Sequence, residues 1–216
     1  MQTLDTGEAA QLGLESSEVP EGFWHFRVQL LLYELLEHTF SSIATVGAEQ
    51  FVYWNPTDLR ECLAPDVFVR FGPPSEMSLS WKIWERGAPH VAIEVISDPN
   101  KAAWEKKLDG YRRMGVSELV WFNPDRPEWP LRIWDFVGDG LLERRLINPC
   151  AQSRHLGGYW LPVDVPGKGI SLRLSHNEGG TRLFLTSDEA NALRAESAER
   201  ELLEIKKLLP PSSEVP

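Results

Sequence analysis

The chain has 216 residues, 42% of them hydrophobic, and a formal net charge of −10. That length supports one good core with an appendage, and no apolar run approaches the length of a membrane span, so no membrane partner is expected. The acidic balance argues against a protein whose whole surface binds nucleic acid, while leaving room for a local basic face. Cys62 and Cys150 make neither a disulfide framework nor a metal motif. Residues 1–21 contain no Lys or Arg and no apolar block, so neither a secretory signal nor a transit peptide is expected, and the setting reads as cytoplasmic.

Residues 1–20 read as a disordered acidic tail. A helix is expected over 22–40, opened by Pro20-Glu21, with Phe23, Phe26, Leu30 and Tyr33 at helical spacing. Glu34 and Glu37 near its end read first as a solvated face and alternatively as an acid leaning into a site. Residues 43–54 are β-favouring, 55–58 form a turn, and 62–71 read as a strand entered through Pro65. Residues 80–87 are a short aromatic and charged segment. Residues 91–96 are apolar except for Glu94. A continuous apolar run marks a strand buried on both faces, and an acid there is costly unless it is paired or ligates a metal.

A turn at 97–100 precedes a helix over 101–114, which Gly115 stops. Over 101–113, five basic residues stand against two acids. Residues 116–122 read as another buried strand, and the order strand, strand, helix, strand indicates a mixed α/β sheet. Segments 131–136 and 141–146 flank a hairpin turn at 137–140. Residues 147–180 are rich in Gly and Pro and read as irregular, and 181–185 as a short strand. Thr186 and Glu189 form a capping box for a helix reaching Leu209. Its apolar residues crowd the far half too irregularly for a coiled coil to be read. The expected organisation is therefore a tail over 1–20, a domain over 21–185, and a C-terminal helix and tail over 186–216.

If the strands at 66–71 and 91–96 are neighbours, Asp66 and Glu94 converge at one sheet edge. Two carboxylates suit a hard divalent cation such as Mg²⁺, which keeps most of its waters. A lysine nearby would orient a water or neutralise charge building on a phosphate. Lys107 lies one helical turn before Tyr111 and shares its face, whereas Lys106 points elsewhere. Seen alone, Asp66 reads equally as a turn cap and Lys107 as a surface lysine. Glu94 alone favours function.

Pro65-Asp66-Val67-Phe68-Val69, the run from Trp81 to Pro89, Ile93-Glu94-Val95-Ile96-Ser97, Lys107 with Tyr111, Met114-Gly115-Val116 and Phe122-Asn123-Pro124 together resemble the Uma-two family. These are restriction endonucleases of the PD-(D/E)XK fold, and the resemblance covers roughly residues 25–185. It implies a restriction-endonuclease-like α/β fold, a curved mixed sheet flanked by helices, and DNA cleavage dependent on Mg²⁺, for which Mn²⁺ can substitute. Asp66 and Glu94 match the motif's acids, and Val95 the position whose carbonyl completes the metal shell. Ile96 stands where the motif usually has its lysine, and Lys107 matches the lysine that this family carries on the next helix. Glu34 or Glu37, Ser97 and Tyr111 are supporting candidates. Lys101, Lys106, Arg112 and Arg113 would meet the DNA backbone. The aromatics and the C-terminal helix suggest a homodimer. A nuclease-like fold that binds or oligomerises without cleaving is the alternative, and an enzyme acting on small nucleotides is a third.

Overall fold

A computed structural model describes residues 23–72, 79–97, 100–165 and 169–208. The expected acidic tail and the Pro20-Glu21 helix start lie outside the described residues. In chain order the elements are α1 (Phe23–Phe40), β1 (Ala44–Ala48), β2 (Phe51–Tyr53), β3 (Cys62–Leu63), β4 (Val67–Phe71), β5 (Ser80–Lys82), α2 (Ile83–Arg86), β6 (Val91–Val95) and α3 (Lys101–Met114). They continue with β7 (Glu118–Phe122), β8 (Leu131–Val137), β9 (Gly140–Glu143), β10 (Ala151–Gln152), β11 (Tyr159–Val165), β12 (Gly169–Ser175) and α4 (Ser187–Leu208).

The architecture is mixed α/β. A six-stranded sheet runs in the order β1-β4-β6-β7-β8-β9. Within it β6 and β7 are parallel and every other pair is antiparallel. The parallel pair needs a crossover, and α3 supplies it. Asn100 caps α3 by accepting from the Ala102 N–H at 2.9 Å. Gly115, at φ 78°, ends it in the left-handed conformation that only a residue without a Cβ adopts at little cost.

Strand alternation divides the core between the sheet's two faces. Val67, Val69, Val91, Ile93, Val95, Val120 and Phe122 point to the α1 side, against Val28, Leu32, Leu35 and Leu36. Phe68, Ala92, Leu119, Trp121 and Trp134 point to the α3 side, against Trp104, Tyr111 and Met114. Gly47 lies directly across from Phe68, and a Cβ there would meet the Phe68 ring at 2.2 Å. Phe68 is fully buried and has nowhere to go. Gly47→Ala is therefore expected to lower stability by about 1–3 kcal/mol. A urea midpoint falling at unchanged slope would show it, and a loss under about half a kcal/mol would contradict it.

Four local expectations are corrected. The single strand over 62–71 is two, because Pro65 lacks the N–H needed to continue the ladder: β3 pairs with β2 in a small sheet and β4 enters the large one. The 80–87 segment is a strand, β5, followed by the one-turn α2. Residues 147–180 are not irregular, since they form the antiparallel sheet β10-β11-β12. Pro162 is tolerated because β10 reaches only Tyr159 and Trp160, so β11 is an edge strand beyond them. Residues 181–185 form one isolated bridge, Ser175 to Leu183, and no strand. The capping box is present: Thr186 Oγ1 accepts from the Glu189 N–H, and Glu189 Oε2 accepts from the Thr186 N–H.

Candidate functional site

Val67 pairs with Ile93, so Asp66 sits beside the C-terminal end of β6. Ile93 and Val95 face α1, and Glu94 between them faces α3. Both acids are buried, Asp66 at 6% exposure and Glu94 at 2%. At the two ends of β6, His90 O accepts from the Glu118 N–H and the Ile96 N–H donates to Phe122 O, both across to β7, whereas the Val95 N–H points to the β4 side. That N–H donates to Asp66 Oδ2 at 2.6 Å. Asp66 Oδ1 lies 3.2 Å from His25 Nε2 on α1. From α3, Lys107 Nζ donates to Glu94 Oε2 at 2.7 Å and the Tyr111 hydroxyl donates to Oε1.

Burial pushes the Glu94 carboxyl up to about 7. The Lys107 ammonium pulls it down and the neighbouring Asp66 pushes it up. Burial and the same Glu94 carboxylate push the Tyr111 phenol well above its ordinary range. Glu94 holds the half-exposed Lys107 ammonium and Asp66 the His25 ring, so the two buried carboxylates stand close together with separate partners, a concentration of negative charge that a divalent cation would relieve. Each carboxylate oxygen receives one protein donor and keeps a second lone pair. Among the described residues no group of three or more His, Cys, Asp and Glu side chains is arranged to hold a metal. The two carboxylates are hard oxygen donors of the kind a divalent cation takes.

The sequence model of the Uma2 family, "Putative restriction endonuclease", matches residues 15–145, more than half of the chain. The chain belongs to the Uma2 family. A solved structure of a "putative nuclease belonging to DUF820" from Anabaena variabilis is 19% identical, with a TM-score of 0.47, covering 70% of this chain and 76% of that one. No curated protein matches the chain.

The Uma2 chain brings Asp66, Glu94, Val95, Lys107 and Tyr111 together. Ile96, on the same face as Glu94, packs against the α3-side core, and Lys107 reaches that carboxylate from α3. Ser97 is exposed beyond β6. The suggestion that Glu34 or Glu37 leans into the site is corrected. Glu34 is exposed and Glu37 half-buried, lying roughly 13–18 Å along the helix axis from His25 at ~1.5 Å per residue.

The polar residues of α1 that reach Asp66 are His25 and Gln29, at its N-terminal end. Gln29 Nε2 donates to the Asp66 carbonyl at 3.2 Å and to Glu49 Oε1 at 2.7 Å. Glu49 has φ 52°, rare for a residue with a side chain. The signal for His25 and Gln29 was two polar residues on the stripe that Val28 and Leu32 bury.

The four cations expected to meet DNA do not form one stripe. Lys106 and Arg113 lie on one flank of α3, and Lys101 and Arg112 on the other, by the 100° step of a helix. Arg112 pairs with Asp109 at 2.8 Å, Arg113 with Glu61, and Lys101 lies 3.9 Å from Glu105.

Glu118 carries the same sequence signal as Glu94, an acid within an apolar strand. It is fully buried but fully satisfied. Oε2 accepts from Arg144 Nη2 and the Arg154 N–H, both at 2.8 Å, and Oε1 accepts from Ser153 Oγ at 2.8 Å and Trp160 Nε1 at 3.1 Å. Arg144 also pairs with Asp135. This cluster fastens the β10-β11-β12 sheet to the large one.

Proposed function

We propose that the chain is a Mg²⁺-dependent DNA endonuclease that hydrolyses phosphodiester bonds and works as a homodimer in the cytoplasm. The observation that carries this reading is the pair of buried carboxylates, Asp66 and Glu94, side by side at the ends of the neighbouring interior strands β4 and β6, with Lys107 on Glu94. Membership of a family described as restriction endonucleases supports it. Asp66, Glu94 and the Val95 carbonyl would hold the metal. When bound, Mg²⁺ polarises the scissile phosphate and makes water a better nucleophile. Lys107, 41% exposed at its side chain, faces solvent enough to orient that water and balance charge on the phosphate. Tyr111 fixes Glu94, and His25 and the Val95 N–H fix Asp66. Lys101, Lys106, Arg112 and Arg113 supply the local positive surface.

One observation favours the alternative, a nuclease fold that binds another partner or oligomerises without cleaving DNA: Arg112 and Arg113 are engaged by acids of this chain, which weakens their hold on phosphate. Nicking of supercoiled plasmid separates the two readings. Wild type is expected to nick in Mg²⁺ or Mn²⁺, and Asp66→Ala to lose about 10²-fold or more. Mg²⁺ is also expected to raise the melting temperature of wild type and leave Asp66→Ala unmoved. Equal cleavage by the two proteins, or none by either, would remove the catalytic assignment.

A further inference from the structure

α4 is held to the body by its first turn. Glu189 caps it, and Arg173 grips the Glu189 carboxylate with two bonds of 2.8 Å. From Asn191 to Lys207 every residue is exposed, Leu202 at 56% and Ile205 at 55%. A helix gains most of its stability in proteins by packing an apolar face, and among the described residues none covers α4 beyond its first turn.

Ala195, Ala198, Leu202 and Ile205 follow one another at spacings of three, four and three, which makes one seam of a heptad pattern. The two alanines let a facing backbone come close, and the two large residues fill the wider end. Leu193 and Leu203 lie off the seam. They lie on the opposite side, with Glu196, Ser197, Arg200, Glu204 and Lys207.

The charges beside the seam identify the occupant. Arg194 and Glu201 lie on one flank, Glu199 and Lys206 on the other. In a parallel helix pair, each residue on the first flank faces the residue five positions later on the other helix. Arg194 then meets Glu199 of the partner subunit and Glu201 meets Lys206 of the partner subunit, and symmetry repeats both pairs. Antiparallel helices in full overlap would instead set Glu199 against Glu199 and Glu201 against Glu201. Arg194 bonds Asn191 Oδ1 at 2.7 Å within its own helix, an exposed contact that it can exchange for the partner's carboxylate.

We propose that α4 forms a parallel two-stranded coiled coil with α4 of a second copy, seamed by Ala195, Ala198, Leu202 and Ile205. This deepens the homodimer reading and is independent of cleavage. A two-fold axis along the helix pair sets both bodies at the same end, where two sites can meet one duplex.

Sedimentation equilibrium over a concentration series of the full chain tests it. Wild type is expected to associate as a dimer, and Leu202→Asp with Ile205→Asp to be a monomer. Both positions are exposed, so folding is not at stake. Glu201→Lys and Lys206→Glu are each expected to weaken association by about 10-fold or more, and the two together to restore it to within about 3-fold of wild type. A wild-type monomer up to about 100 μM, well above typical affinities for stable dimers, would overturn both the homodimer and the coiled coil. A dimer that survives the aspartates, or a charge pair that does not restore, would leave the homodimer standing and overturn α4 as its seam.

Discussion

Glu94→Gln is expected to abolish plasmid nicking, by about 10²-fold or more, and at the same time to make the metal-free protein more stable by about 1–2 kcal/mol. Glutamine keeps the shape of the side chain and removes a negative charge that is 2% exposed. Lys107 keeps an amide oxygen to donate to and is half-exposed, so losing the charge of Glu94 costs it little. The stability gain has a pH signature. Burial raises the Glu94 carboxyl to about 7 in the fold, from an ordinary value of 4.5. A carboxyl raised on folding favours the native state while it is protonated, and that advantage drains away as pH rises from the unfolded value through the folded one. The glutamine should therefore match wild type near pH 4 and exceed it most above pH 7. Urea melts in chelator at several pH values read this directly. A variant that still nicks, or that is less stable at pH 8, would show that Glu94 is a structural acid.

Glu118→Ala should do the reverse, costing about 3–5 kcal/mol, because it strips four donors of their acceptor, one of them from a guanidinium that is itself mostly buried. The effect should appear as a lower urea midpoint, and as early loss of the β10-β11-β12 sheet. A cost below about 1 kcal/mol would mean that water replaces the lost oxygens. The two acids thus differ in sign. The stability of the fold rests on Glu118, which has donors in full. Glu94 is under-compensated, and strain of that kind is found where a protein holds a ligand.

Sequence pattern carried the spine of the structure. The run from β4 to β7, with α3 between, follows from apolar periodicity, the turn at 97–100 and Gly115, and the capping box of α4 from Thr186 and Glu189. What it misjudged lay where tertiary context overrides local composition. Glycine and proline made 147–180 look irregular, although an edge strand has no ladder bond for Pro162 to break. Glu34 and Glu37 were conspicuous as acids, whereas His25 and Gln29 reach Asp66 because the start of α1, and not its end, crosses the sheet there. Glu118 was hidden inside a strand whose other residues are apolar, and only its partners from 144–160, distant in sequence, distinguish it from Glu94. The exposure of α4 along residues 191–207 was not legible in its sequence, because apolar residues fall on every side of it and only the fold shows that the body covers none of them.

The Glu189 carboxylate has two tasks at once, since it closes the first turn of α4 and holds Arg173 of β12. One end of the helix is therefore tied to the sheet, while the far end is held by the helix propensity of its own residues. Opening must run inward from the C-terminal end and stop at Glu189, so α4 carries a gradient of lifetimes along its own axis. Any partner that zips onto Leu202 and Ile205 raises the low end of that gradient first, and leaves the anchored end almost unchanged.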